Sequence, residues 1–524
     1  MKKAGRKEWI GLAVIALPCL LYSMDLTVLH LAVPHMSAAL EPSSAQLLWI
    51  IDIYGFLVAG SLITMGTLGD RIGRRRLLMI GAAAFGIASV LAAFSTSAET
   101  LIATRALLGI AGATVAPSTL SLIRNMFHDP HQRTVAISIW VTSFSIGGAI
   151  GPLIGGVLLE FFWWGSVFLI SVPVMLLLLV FGPVLLPEYR DPNAGRLDLF
   201  SAALSLVAIL AVIFGLKQIA QEGLHVLPVM FIAAGITLAL LFVRRQLTLA
   251  DPLIDLGLFR MPAFSASLAT YGLSILVLFG GFLFLPQYLQ LVVGLSPFDA
   301  GLWTLPWALA FVVGSMVTPP LVKQIRPAFV MTCGLIIAAI GFAMFATIDS
   351  ATSFVFFATA SFAFSVGMAP VFTLTTDLII GSAPPERAGA ASAISETSAE
   401  FGGALGIALF GSIGVAVYRT MLDGALPDGL TLNAAEAARA TLPGALDAAG
   451  QLSGQAAQEL ANAARSAFMQ GLRLCATISV AGSAGLAIFT ATVLRHVKPA
   501  FAQAQQSAQS SQPESVFPSG SISS

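Results

Sequence analysis

Apolar residues run in long blocks separated by short polar stretches along almost the whole chain. The blocks fall near 10–33, 46–66, 77–95, 100–123, 134–159, 165–186, 198–217, 226–243, 264–286, 298–320, 328–348, 353–376, 389–418 and 475–494. A helix needs about 20 apolar residues to cross the hydrocarbon core of a bilayer. In lipid every backbone polar group must be satisfied within the segment, so such blocks are helices. The pattern predicts an all-α membrane protein with 14 transmembrane helices and both ends on one side.

Composition supports the pattern. Of 524 residues, 57% are hydrophobic and 10% charged, against about 25% charged in soluble domains. Mean hydropathy is +0.89. The net charge of zero gives no sign of a nucleic-acid partner. Cys19, Cys333 and Cys475 lie in separate apolar blocks, so neither a disulfide framework nor a metal site is expected. Lys2, Lys3, Arg6 and Lys7 precede the first block as in a signal peptide. That block is too long and lacks a cleavage site, so it is expected to stay as the first helix. With the N-terminus inside, 20 of the 26 Lys and Arg fall in cytoplasmic segments. Lys217, Arg419, Arg439, Arg465 and Arg473 are placed outside, and Arg105 within a span. This bias sets both termini in the cytoplasm.

Charge inside or between spans marks chemistry. The loop Gly66-Thr67-Leu68-Gly69-Asp70-Arg71-Ile72-Gly73-Arg74-Arg75-Arg76 joins the second and third blocks. An ordinary topogenic loop needs its basic cluster, but has no use for Asp70 and Gly73. Glycines allow a tight turn and close helix approach. Asp70 with Arg71, Arg74 and Arg75 is then placed to lock or release neighbouring helices. Asp25, Asp52, Glu396 and Glu400 lie in spans, the last two on one helical face. An ionised acid at the bilayer centre costs roughly 2.5–3.5 kcal/mol, so such residues face the bundle interior or water. A carboxylate there can hold a proton or a cation, and that competition is exchange. Arg105 stands alone in the fourth block and needs a partner. Asp377, at a helix end, is expected to be structural. Trp49, Tyr54, Trp140, Phe144, Tyr271, Trp303 and Trp307 are candidates to line a cavity and hold cations by their ring faces.

The glycine-arginine loop resembles the signature loop of the major facilitator superfamily. The run Gly147-Gly148-Ala149-Ile150-Gly151-Pro152-Leu153-Ile154-Gly155-Gly156 resembles the antiporter motif of its proton-driven exporters, in which small residues pack helices closely. Over residues 8–495 the chain is similar to the fourteen-helix drug:proton antiporters. Asp25 through Pro34 and Leu48 through Tyr54 resemble the subgroup that exports quaternary ammonium compounds, dyes and methyl viologen. The resemblance implies a major facilitator fold: a six-helix bundle over 1–190, a two-helix insert over 191–250 and a second bundle over 251–498. The alanine content of 419–474 argues for an outside helical hairpin broken near Gly450–Gly454, which the resemblance also implies, and residues 499–524 suit a disordered cytoplasmic tail.

The function implied is proton-coupled efflux of lipophilic cations, biguanides included, by alternating access. No cofactor is needed beyond the proton gradient. The expected partners are cationic small molecules, protons and the bilayer, with a monomer in a bacterial inner membrane. A narrower exporter of an antibiotic or metabolite on the same fold is the alternative. No nucleophile–base pair or phosphate loop suggests an enzyme.

Overall fold

The computed structural model describes residues 3–42, 44–190, 198–249, 252–423, 426–427 and 430–497. The expected tail at 499–524 and the start of the expected insert, 191–197, lie outside the described residues. Among the described residues, fourteen helices are long and apolar enough to cross a membrane. They are α1 (Arg6–Leu29), α2 (Trp49–Ile72), α3 (Arg74–Ala93), α4 (Ala98–Met126), α5 (Pro130–Phe161), α6 (Ser166–Leu185) and α7 (Leu199–Ile219). There follow α8 (Val226–Gln246), α9 (Pro262–Val292), α10 (Asp299–Val322), α11 (Pro327–Phe345), α12 (Phe354–Ser382), α13 (Ala388–Leu422) and α14 (Gln455–Val493). No strand occurs among the described residues.

Local chemistry starts the helices where the polar breaks in the sequence fall. Asp129 caps α5 by accepting from the Gln132 N–H at 2.9 Å, with Pro130 at the first helical position. Asp198 accepts from the Phe200 and Ser201 N–H groups to start α7, and its carboxylate also meets Arg245 of α8 at 2.7 Å. Outward faces stay apolar, as at Ile87, Val180, Leu240 and Ile488, which suits a lipid surround.

The helices pack in two sets. In the first, α1 lies along α5 and α6, α2 along α4, and α3 along α4 and α6. In the second, α12 joins α9, α10 and α11, while α14 joins α9, α11 and α13. The sets meet along two seams, α2 and α4 against α13, and α5 against α10 and α12. α7 lies against both α2 and α13, and α8 packs chiefly on α7.

The segment after α13 is helical on both sides of a break at 451–454, and its second arm is continuous with the last helix. Two short helices, Leu432–Ala440 and Leu442–Gly450, meet at Thr441, which caps the second while Pro443 fits its first turn. The chain then breaks at Gly454, whose φ of +67° suits glycine. From Gln455 a single helix runs to Val493, so the last helix starts about a score of residues before its apolar block. Residues 455–474 are rich in helix formers, and Arg465 and Arg473 donate to the Leu291 and Ile348 carbonyls. These arginines are therefore part of α14, not of a loop.

Candidate functional site

Buried charge concentrates around α1, and Arg105 of α4 is its centre. Its side chain is 1% exposed. Nη1 donates to Asp25 Oδ2 at 2.9 Å and Nε to the Ile50 carbonyl at 3.0 Å. The guanidinium lies over the Tyr54 ring, 4.9 Å from its centroid. One cation thus joins α1, α2 and α4. The glycine run of α5 makes room for this arrangement. A Cβ on Gly147 would lie 2.1 Å from the Leu20 carbonyl oxygen, and one on Gly151 2.2 Å from Thr27 Oγ1. Gly148 faces Ser23, and Gly155 is buried. Gly156 meets open space, so close packing does not require it. The side chain of Pro152 lies outside the described residues. The run therefore seats α1 against α5 over the stretch that carries Asp25.

From Arg105 a chain of aromatic groups leads to the second set of helices. The Tyr54 ring lies 6.1 Å from that of Tyr22, and the Tyr22 hydroxyl donates to Glu400 Oε1 of α13 at 3.5 Å. Phe144 stands edge-on to Tyr22 at 5.8 Å and to Trp140 at 4.7 Å. Tyr22 was not singled out in the sequence. Tyrosines in apolar helices are common, and only the fold brings it to Glu400. Glu396, one turn from Glu400, is half-buried, and its Oε1 has no hydrogen-bond partner among the described residues. Asp52 of α2 is instead paired with Lys217. Lys217 belongs to the helix Leu199–Glu222 rather than to an outside loop, a correction to its sequence placement.

The aromatic candidates divide. Tyr54 and Phe144 belong to the chain just described. Trp140 is 2% exposed and donates to Thr119 Oγ1 at 2.9 Å, so it backs the site rather than lining an open space. Trp49 is 44% exposed and packs on Phe56. Trp303 packs on Phe354 and Phe357, Trp307 on Phe311, and Tyr271 on Phe372.

A second group of charges lies at the end where α2 turns into α3, here the arginine-rich end. Asp70 accepts from Arg74 Nε at 2.9 Å. It also accepts from the backbone N–H groups of Gly389 and Ala390 in the first turn of α13, at 3.1 and 3.0 Å. Those N–H groups have no partner within their helix, and the helix dipole favours an anion there. Arg74 continues across the seam to the Glu386 carbonyl at 3.2 Å, beneath the Tyr189 ring, and Tyr189 donates to the Glu386 carboxylate at 2.9 Å. Gly66 makes the approach possible: a Cβ there would lie 2.5 Å from the Gly389 carbonyl oxygen. Gly73 has φ of +109° and ends α2 against Glu188. Arg75 stays within the first set, bonded to Glu188 and to the Pro183 and Leu186 carbonyls. Arg71 is half-buried at the end of α2.

The other seam carries a matching tie. Arg133 Nε of α5 donates to Asp377 Oδ1 of α12 at 2.6 Å, and Thr134 to Oδ2 at 2.7 Å. Asp377, expected to be structural, here pairs across the seam; Arg133 was missed, since the pair is separated by 244 residues and nothing local joins them. We expect Arg133→Asp to slow transport about tenfold and the exchange Arg133→Asp with Asp377→Arg to recover most of it, since a like-charge pair costs what an ion pair gains. Vesicle uptake rates for the two variants decide this.

Residues 15–407 match the model of the Major Facilitator Superfamily. The chain is 43% identical over 473 residues to the multidrug efflux pump LfrA of Mycolicibacterium smegmatis, covering 90% of this chain and 94% of that one. It is 37% identical over 466 residues to the methyl viologen resistance protein SmvA of Salmonella typhimurium, covering 88% and 93%. The solved structure of the human organic anion transporter MFSD10 superposes with a TM-score of 0.59 at 15% identity, over 93% of this chain and 99% of that one. That last likeness concerns the fold alone. Fourteen spans, two helix sets meeting on two seams and a match over most of the chain lead to one conclusion: this multi-pass membrane protein belongs to the major facilitator superfamily.

Proposed function

We propose that the chain is a proton-coupled multidrug efflux antiporter that exports lipophilic cations by alternating access. The observation that carries this is the run Asp25–Arg105–Tyr54–Tyr22–Glu400, which joins carboxylates of both helix sets through aromatic rings. An ammonium, pyridinium or dye cation is recognised by carboxylates and ring faces together. The same carboxylates take protons, so cation and proton exclude one another. The relatives named for multidrug and methyl viologen resistance support the same reading.

In this reading the arginine-rich end is cytoplasmic, where the two ties hold the sets together. The tied form then faces outward in a bacterial inner membrane. Protons arriving from outside neutralise Asp25 and Glu400 and release the cation. Alternating access then proceeds by rocking of the two sets about the site. The membrane potential of 100 mV contributes roughly 2.3 kcal/mol per charge moved. A monovalent cation exchanged for one proton moves no net charge, so more than one proton per cation makes export useful. Glu396 and Glu400 together offer the second. The protein works as a monomer and needs no cofactor, its drive being the proton gradient.

The test is ethidium uptake by inverted vesicles with and without an imposed pH gradient. Uptake should require the gradient. Glu400→Gln should lose at least about a hundredfold of the driven rate, the scale of one proton-transfer group. Glu396→Gln should retain substrate binding and accumulate less, having one proton fewer. Uptake indifferent to the gradient would sink the antiport reading.

A further inference from the structure

The proposed mechanism leaves Lys217 unexplained. A lysine inside a span is costly unless it is paired or reaches water. This one is carried by α7, which lies against α2 of one set and α13 of the other. Its ammonium meets Asp52 and sits over the face of Phe56, 4.6 Å from the ring centroid. Trp49 and Phe214 stand edge-on to Phe56 at 6.2 and 6.4 Å and extend the apolar wall. One carboxylate and a ring face, backed by further aromatics, is the chemistry that recognises an organic cation. Here the seat is filled by the protein's own cation.

The pair is built differently from Asp25–Arg105. The Arg105 side chain is 1% exposed, whereas those of Lys217 and Asp52 are 35% and 21% exposed. Arg105 is fixed by two backbone carbonyls besides its carboxylate. Lys217 has a flexible four-carbon stem. A partly exposed ion pair is weak and can be displaced. A tethered cation competes with a free one through its high local concentration.

We propose that Lys217 is a resident cation surrogate: its ammonium occupies the Asp52–Phe56 seat and lowers the affinity of that seat for cationic substrates. The proposal rests on the cation-export reading above. It makes the inserted helix part of substrate selection. A bound cation must move Lys217 aside, and Lys217 returning to Asp52 helps to expel it.

The experiment is tetraphenylphosphonium binding to the purified full-length protein by calorimetry. Lys217→Met should bind about tenfold more tightly than the native chain, the advantage that a weak tethered competitor confers. Lys217→Arg should bind as the native chain does. Adding Asp52→Asn to Lys217→Met should erase the gain. A purely structural lysine would not raise affinity on removal. Should Lys217→Met not fold, Lys217→Gln serves in the same comparison. Unchanged or weaker binding in Lys217→Met or Lys217→Gln with native melting would overturn the proposal, while leaving cation export standing. No binding by the folded native protein would instead remove the cation reading, and this proposal with it.

Discussion

Asp25→Asn should cut gradient-driven ethidium uptake by at least about a hundredfold while the protein remains in the membrane. Asp25 is the carboxylate on which Arg105 rests, at 2.9 Å. An asparagine keeps the shape and one acceptor oxygen but can neither carry charge nor release a proton. Breaking a buried ion pair by altering one partner costs about 3–5 kcal/mol, and about 1.4 kcal/mol corresponds to tenfold. The loss therefore has two sources, and they separate by measurement. The uncompensated Arg105 should lower the melting temperature of Asp25→Asn. Adding Arg105→Gln should restore much of the stability, because the pair is then neutral on both sides, yet transport should stay lost. Asp25→Glu should keep part of the transport, since its carboxylate can still exchange a proton. Native uptake by Asp25→Asn would remove Asp25 from the coupling mechanism and move the burden to Glu400 and Glu396.

How much of this was visible in the chain depends on range. The spans are a local property of apolar runs, and all fourteen blocks fall in helices long and apolar enough to cross a membrane. The glycine-arginine loop was legible as well, because steric demands at Gly66 and Gly73 are written into one short stretch. Asp25, Asp52, Glu396 and Glu400 announced themselves by the cost of charge in an apolar span. Their partners did not. Arg105 was seen to need a partner, but which one follows only from α1 lying beside α4. Lys217 looked like a loop residue because the apolar block ends there, whereas its helix runs on to Glu222. A lysine stem can leave a helix surface and carry its charge to a neighbour, so hydropathy misplaces it. Arg133 and Asp377 sit at helix ends, where charge is ordinary, and only packing of α5 on α12 gives them meaning. The alanine content before 475 already argued for helix, but that it runs unbroken into the last span was hidden because the apolar block opens only at 475.

Asp70→Asn should open the arginine-rich end and slow transport by about thirtyfold. Asp70 is the point at which one side chain of the first set closes on the backbone of the second. Its two oxygens take the Gly389 and Ala390 N–H groups separately, and Arg74 shares one of them. The asparagine amide can satisfy only one of these N–H groups, and its NH2 would face the other as donor against donor. It also loses the charge that the helix N-terminus favours. A hydrogen bond to a charged group contributes about 1.5–3 kcal/mol, so losing one moves a two-state balance by roughly thirtyfold. Spin labels at Arg76→Cys and Ile325→Cys, in a background without the three native cysteines, read the separation of the two sets at this end. The native protein should give a single short distance, and Asp70→Asn a population shifted to longer ones. The Arg133–Asp377 tie remains in this variant, so opening should be partial until Arg133→Ala is added. An exporter must pass through the tied form on every cycle to release its cargo outside, so a looser tie slows the cycle without touching the substrate seat. Substrate affinity should therefore change little while the rate falls. A distance distribution identical to the native one, with a native rate, would show that Asp70 only shapes the loop and that the Arg133 tie alone holds the end shut.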